Sequence, residues 1–339
     1  MKNFKSIDLL KYILSIMVII IHTNPFLSIN KELGFYISYG ICRIAVPCFF
    51  IISAYFYFSK GITKENTIKY CKRLLILYFA WFIIAIPNII YFRLYCGSNN
   101  ILIKIFNLIK GFFFSSTFAG SWFLTSCMFC GILFYFLHKF KSKKFSFFVI
   151  TFLSVLVYIF CVLGSSYGNF INNTCFNVIY VYWDKIFGSF QNGFIVGIPY
   201  FYVGSILYYN NVKINNKSII TGLFISLFLL MIEVYFTHHL NLILYNDCYF
   251  LLLPTSVFLF LLCKNSNINI NNHIFLRKSS IIIYLSHFIF LAYIKGIAKI
   301  FHFEIANIYW FLSVLILCLL FSTLIIRFSE KIKWLKYLY

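Results

Sequence analysis

Charge is scarce in this chain. Only 11% of its 339 residues are Asp, Glu, Lys or Arg, against about 25% in ordinary soluble domains. Acids are scarcest, with 8 Asp+Glu in all. The other 62% that is hydrophobic, including 45 Phe and 26 Tyr, recurs in apolar blocks along the whole length. So few charges cannot cover that much apolar surface, which excludes a water-soluble fold. No stretch is left for a soluble domain of ordinary size, so residues 1–339 are expected to form one integral membrane domain.

Other absences narrow the function. No nucleotide-binding loop is present. Cys127-x-x-Cys130 has no second ligand pair to make it a zinc or redox site, so no metal is expected. Most of the 11 Cys, such as Cys42, Cys48, Cys161, Cys263 and Cys318, lie in or beside apolar runs and read as structural thiols. The 29 Lys+Arg give a net charge of +21, but they fall between apolar blocks and form no patch. That argues against nucleic acid and for an anionic bilayer surface. The first apolar run leads into His22-Thr23-Asn24-Pro25-Phe26 with no small-residue cleavage site, so it is expected to be a retained helix. No internal repeat of the kind that builds inverted transporter halves is visible.

Ten apolar stretches are present: Leu9–Ile21, Tyr36–Phe58, Leu74–Tyr95, Trp122–Leu137, Ser146–Leu163, Gly193–Tyr208, Ser218–Phe236, Cys248–Cys263, Ser279–Ile294 and Ile308–Ile326. Crossing the hydrocarbon takes about 20 residues, and the shorter cores must borrow flanking ones. The expected architecture is an all-α polytopic membrane bundle of about ten helices. Twenty-one of the 29 basic residues fall on one set of alternate loops and ends, which puts both termini in the cytoplasm. Of the two longer outer segments, 96–121 carries an apolar stretch, Ile101–Phe114, suited to the interface, and 164–192 is rich in Asn, Ser, Gly and Tyr.

Ionisable groups inside such helices are costly in lipid and therefore informative. Lys11 and His22 are eleven residues apart, about 1100° around a helix, or about 20° past three full turns. They share one face, which Asp8 and Ser15 extend, and stand roughly 16 Å apart along the axis. Lys11, at the cytoplasmic mouth, suits a phosphate or a lipid headgroup, or serves as a snorkelling anchor. His22, toward the far side, suits a general base, or an interfacial ring bonded to a carbonyl. Arg43, four residues before Pro47, is expected to face the bundle interior or a wet cavity, with snorkelling the alternative. Ser53 can back-bond to its own helix. Lys72 and Arg73 open the third helix, with Tyr78 beyond them. Trp122 fits an aromatic belt. Glu233 is either the partner of an imidazole or a neutralised interfacial group, and His287 reads as a buried, hydrogen-bonded ring.

In order and spacing these residues resemble the acyltransferase family 3 of multispanning membrane proteins. Lys11-x10-His22 is similar to its first-helix signature of a basic residue, ten others and a histidine. Arg43-Ile-Ala-Val-Pro47-Cys-Phe-Phe-Ile-Ile-Ser53-Ala-Tyr55 is similar to its V-P-F-F-F-x-x-S-G-Y block. Lys72-Arg73, Trp122-Phe123-Leu124 and Ile283-Tyr284-Leu285-Ser286-His287 fall where members carry comparable stretches. His22-Thr23-Asn24-Pro25-Phe26, with Gln191-Asn192-Gly193-Phe194 and Pro199, resembles the subgroup containing the membrane domain of vancomycin-resistance serine racemases. The chain ends at Tyr339, so their racemase domain is not expected. Lys11 stands where arginine is more frequent and loses bidentate geometry. Ala54 stands where glycine is usual and is expected to crowd a close backbone approach.

The resemblance implies an O-acyltransferase, most often an O-acetyltransferase. It would move an acyl group from cytoplasmic acyl-CoA, such as acetyl-CoA, to a hydroxyl of an extracytoplasmic glycan, a lipid-linked acceptor or another envelope molecule. Lys11, Lys72 and Arg73, with Tyr78, would serve the donor; His22 would be the base; Arg43 would polarise the thioester or hold the oxyanion. Ser53, Trp122, Glu233 and His287 would be acceptor-side or supporting. The reading predicts a wet corridor from the basic mouth to the imidazole. The rival is a transporter or sensor of a small polar metabolite such as serine. Nothing in the sequence specifies an oligomer.

Overall fold

Short polar side chains start many of the helices by accepting the otherwise unpaired N–H groups of the first turn. Thr63 accepts from Asn66 N, Ser142 from Phe145 N, and Asn30, Asn100 and Asn215 do the same at their own helix starts. In a computed structural model the described residues are 4–90, 100–140, 142–191, 193–211, 214–303 and 305–339. The far end of the third apolar stretch, Arg93 and Asn192 lie outside them.

The first helix, α1 (Lys5–Thr23), stops at Asn24, whose left-handed φ of 48° closes it against the 3₁₀ turn Pro25–Ser28. The next span is a chain of helical pieces: α2 (Lys31–Phe35), a π turn at Tyr36–Gly40, a 3₁₀ turn at Ile41–Ile44, and α3 (Ala45–Phe58). Pro47 therefore sits in the first turn of α3, where a missing N–H costs nothing, and not in a helix interior. The irregular turns before it present Arg43. Next come α4 (Lys64–Ile89), α5 (Ile101–Phe114), α6 (Trp122–His138), α7 (Lys143–Ser165), α8 (Gly168–Asn172) and α9 (Asn177–Phe187). The chain continues through α10 (Gly197–Tyr209), α11 (Asn216–His239), α12 (Leu252–Asn265), α13 (His273–Ile300) and α14 (Asn307–Phe328). No strand occurs among the described residues.

Among the described residues, seven helical stretches are long and apolar enough to cross a membrane: α1, Lys31–Phe58, α4, α7, α11, α13 and α14. The shorter α6, α10 and α12 carry the other three apolar stretches of the sequence. The short α10 is largely enclosed by neighbours, so its length need not match the hydrocarbon thickness. The third span begins at Lys64, capped by Thr63, ten residues before the expected Leu74. Lys72 and Arg73 thus lie about two turns inside α4 and do not open it.

At the centre are α1, α3 and α13, the most buried of the long elements. Around them α4, α7, α11 and α14 turn exposed rows outward, such as Phe148 and Phe152 on α7 and Phe224 and Phe228 on α11. In water such faces would aggregate; here they meet lipid. Both longer outer segments hold helices. α5 exposes Leu102, Phe106 and Phe113, while α8 and α9 occupy the segment that its composition marks as loop. Helix α3 packs against α10, where a Cβ on Gly204 would come within 2.5 Å of the Ala54 Cβ. The expected crowding at Ala54 does not arise, because the partner helix supplies the glycine.

Candidate active site

The face shared by Lys11 and His22 opens onto two cavities stacked along α1. The inner one, about 270 Å³, lies toward the end of the bundle where α1 begins, and Lys11, Lys60, Lys69 and Arg73 bring their cations to it. None of the four is ion-paired to an acid among the described residues. Lys11 Nζ lies 5.2 Å from the Phe56 ring centroid, a cation–π contact with another residue of the cavity lining. Four cations around one space repel each other and favour an anion between them.

The outer cavity, about 200 Å³, is lined by His22, Arg43, Trp122, Tyr284 and His287, with Asp247 beside Arg43. The His22 ring lies against Phe288 with centroids 4.3 Å apart and stacks on His287 at 5.3 Å with 24° between the planes. His287 Nδ1 donates to the Tyr284 carbonyl at 2.6 Å. That bond places the proton on Nδ1 and leaves Nε2 as a lone pair, buried and without a partner. Arg43 donates through Nη1 to Asp247 Oδ1 at 2.5 Å, and its guanidinium lies 5.4 Å from the Tyr39 ring. Its Nε is buried with no partner. Tyr284 lines both cavities, flanked by the rings of Phe49 and Phe123 at 5.7 and 5.5 Å. The expected single corridor is two chambers on either side of this aromatic partition.

The remaining candidates divide. Ser53 lines the inner cavity and pairs its hydroxyl with that of Tyr70 at 2.8 Å, so it does not back-bond to its helix. Trp122 lines the outer cavity. Lys72 is exposed and lines neither cavity; Lys60 and Lys69 stand there beside Arg73. Tyr78 is buried away from both, its hydroxyl paired with that of Thr117 and its ring packed on Phe112 and Phe118. Glu233 is no partner to an imidazole. Its carboxylate accepts from Phe250 N and Leu251 N, each at 2.8 Å, and from the Tyr167 hydroxyl at 3.2 Å, so it caps the start of α12. Asp8 lies 2.9 Å from His273 Nδ1, where it ties α1 to α13. Ser15 donates to the Tyr12 carbonyl.

Sequence reasoning passed over Asp247. One signal pointed to it: a guanidinium held in the outer half of a span needs a counter-charge, and Asp247 is one of only 8 acids in the chain. Tyr284 carried no such signal, since its place between two cavities exists only once α1, α3, α6 and α13 have met.

The chain matches the acyltransferase 3 family, an acyltransferase domain, over residues 4–327. It is similar to two proteins of Enterococcus faecalis, each called an amino-acid racemase. The first is 26% identical over 258 residues, covering 75% of this chain and 35% of the relative; the second is 22% identical over 338 residues, covering 96% and 46%. The chain thus matches less than half the length of these relatives. No solved structure matches it. With the family match running from the start of α1 almost to the end of α14, the chain belongs to the acyltransferase 3 family of multi-pass integral membrane proteins.

Proposed function

We propose that this protein transfers an acyl group, acetyl in the simplest case, from cytoplasmic acyl-CoA to a hydroxyl of an extracytoplasmic glycan or other envelope molecule. The observation that carries the reading is the pairing of a four-cation cavity with an imidazole chamber across Tyr284. The donor's phosphates would rest on Lys11, Lys60, Lys69 and Arg73, and its flexible arm would reach past Tyr284 to bring the thioester beside His22. Only the reactive group then crosses the bilayer.

His22 takes the proton of the acceptor hydroxyl as its oxygen attacks the thioester carbonyl. The C–O bond forms, the tetrahedral oxyanion faces the Arg43 guanidinium, and the C–S bond breaks. The leaving thiolate then recovers the proton from His22. General-base catalysis contributes typically about 10²–10⁴-fold, and one oxyanion donor about 10²–10³-fold. Membranes carrying His22→Ala should insert the protein normally and lose transfer of labelled acetyl from acetyl-CoA. Undiminished transfer by that variant would remove His22 from the mechanism.

The relatives named amino-acid racemases favour a second reading, in which the chain carries or senses a small polar metabolite such as serine. Uptake of labelled serine into proteoliposomes without any acyl donor would support it, and acyl-CoA-dependent thermal stabilisation of the purified protein would oppose it.

A further inference from the structure

On the outer side of His22 a third cavity, about 680 Å³, opens between the outer ends of α1, α13 and α14. It shares His22 with the outer chamber, so the imidazole stands between the two. Among the described residues no acid lines it. Lys295 and Lys299 do, four residues apart and therefore on one face of α13, and neither is ion-paired among the described residues. Trp310 supplies an aromatic face from α14. Asn307 Nδ2 donates to the Asn24 carbonyl at 3.2 Å, and Asn24 Nδ2 to the Tyr39 hydroxyl at 2.9 Å. The side-chain oxygen of Asn24 is buried and left without a partner.

Two neighbouring ammonium groups match the nearly double charge of a phosphate monoester. An indole face and an orphan amide acceptor suit a sugar ring and its hydroxyls. The volume falls among small-molecule sites of roughly 300–1,000 Å³, and a free amino acid would fill little of it. We propose that this vestibule binds the acyl acceptor and that the acceptor is a sugar carrying a phosphate. The phosphate sits on Lys295 and Lys299, the ring on Trp310, and a hydroxyl reaches His22. The placement of that hydroxyl rests on the acyl-transfer reading; the binding chemistry does not.

Binding is measured on the detergent-purified full chain with no acyl donor present, by thermal stabilisation with glucose 1-phosphate, glucose or inorganic phosphate. Glucose 1-phosphate should bind at least about tenfold more tightly than either other probe, the loss of one charge-assisted contact being enough for that ratio. The double variant Lys295→Ala, Lys299→Ala should lose that advantage, and Lys295→Arg, Lys299→Arg should keep it. Equal binding of glucose and glucose 1-phosphate, or an advantage untouched by removing both lysines, overturns the proposal. Phosphatidylglycerol vesicles that compete as well as glucose 1-phosphate also overturn it, by reducing the site to a headgroup anchor. A polyprenyl-linked glucose phosphate binding more tightly than the soluble ester supports it with a bilayer source, and equal binding supports it with a soluble one. Absent binding with intact acetyl transfer sinks the vestibule alone. Intact binding without transfer by the unaltered protein sinks the transfer reading alone.

Discussion

Glu233 separates two kinds of role. Were its carboxylate the partner of a catalytic imidazole, Glu233→Ala would stop turnover and spare the fold. The structure assigns the opposite. The carboxylate is the acceptor for Phe250 N and Leu251 N, and with Tyr167 it pins the segment that leads into α12. Removing it strands two backbone donors in a partly buried site, each costing about 1–3 kcal/mol, so Glu233→Ala should cost about 2–6 kcal/mol. Glu233→Gln keeps an oxygen for one donor but turns an NH₂ toward the other, and should cost about half as much. The same segment carries Asp247 against Arg43, so any loss of transfer should track the loss of structure. Thermal unfolding of the purified variants in detergent, followed by tryptophan fluorescence, should rank the midpoints unaltered, then Gln, then Ala. An unchanged midpoint in Glu233→Ala with transfer abolished would refute the capping role and restore a catalytic one.

Lys11→Ala should weaken donor binding by tenfold or more, the value of one charge-assisted contact of about 1.5–3 kcal/mol, while Lys11→Arg keeps most of it. Lys72→Ala, altering an exposed cation off the cavity, should leave donor binding nearly unchanged; titration of acetyl-CoA against thermal stability measures all three. Asp247→Ala leaves Arg43 without its counter-charge and should destabilise by about 1–3 kcal/mol, less than the roughly 3–5 of a fully buried pair because Asp247 is 26% exposed. The double variant Arg43→Met, Asp247→Leu should recover that stability and remain without transfer, and recovery of both would remove Arg43 from the chemistry.

Helical geometry made α1 legible. One hundred degrees per residue puts Lys11 and His22 on the same side, and each lines a cavity on that side. Periodicity and hydropathy located the helices because lipid demands long apolar runs whatever their neighbours. What periodicity cannot carry is the choice of partner. Glu233 seals the α12 start because the chain returns to it after the turn at 240–251, and no local pattern announces that return. Ala54 departs from the family block, yet the glycine it lacks stands on α10 as Gly204, a compensation visible only across two helices. The inner cluster had the same difficulty. Lys60 joins Arg73 only through the α3–α4 connection, and while Lys69 shares the Arg73 face four residues earlier on α4, Lys72, adjacent in sequence, is turned about 100° away.

The aromatic partition at Tyr284 bears on how such a protein keeps its membrane sealed. A continuous aqueous path from Lys11 to His22 would place water and cations along the whole bilayer thickness and admit protons to an outward imidazole from the cytoplasm. Two chambers divided by Tyr284, Phe49 and Phe123 avoid that cost at rest. The Tyr284 hydroxyl reaches only to the Gly120 carbonyl, at 3.4 Å, beyond the usual range of a strong bond. Displacing the ring therefore breaks one weak bond and a few edge-to-face contacts of about 0.5–1.5 kcal/mol each, within reach of the binding energy from a phosphate cluster on four cations. On the acyl-transfer reading the donor arm itself opens the partition. Filling the gap with Phe123→Trp should then lower transfer while leaving donor binding in the inner cavity intact. Transfer undiminished in that variant would mean that the acyl group takes another route to His22.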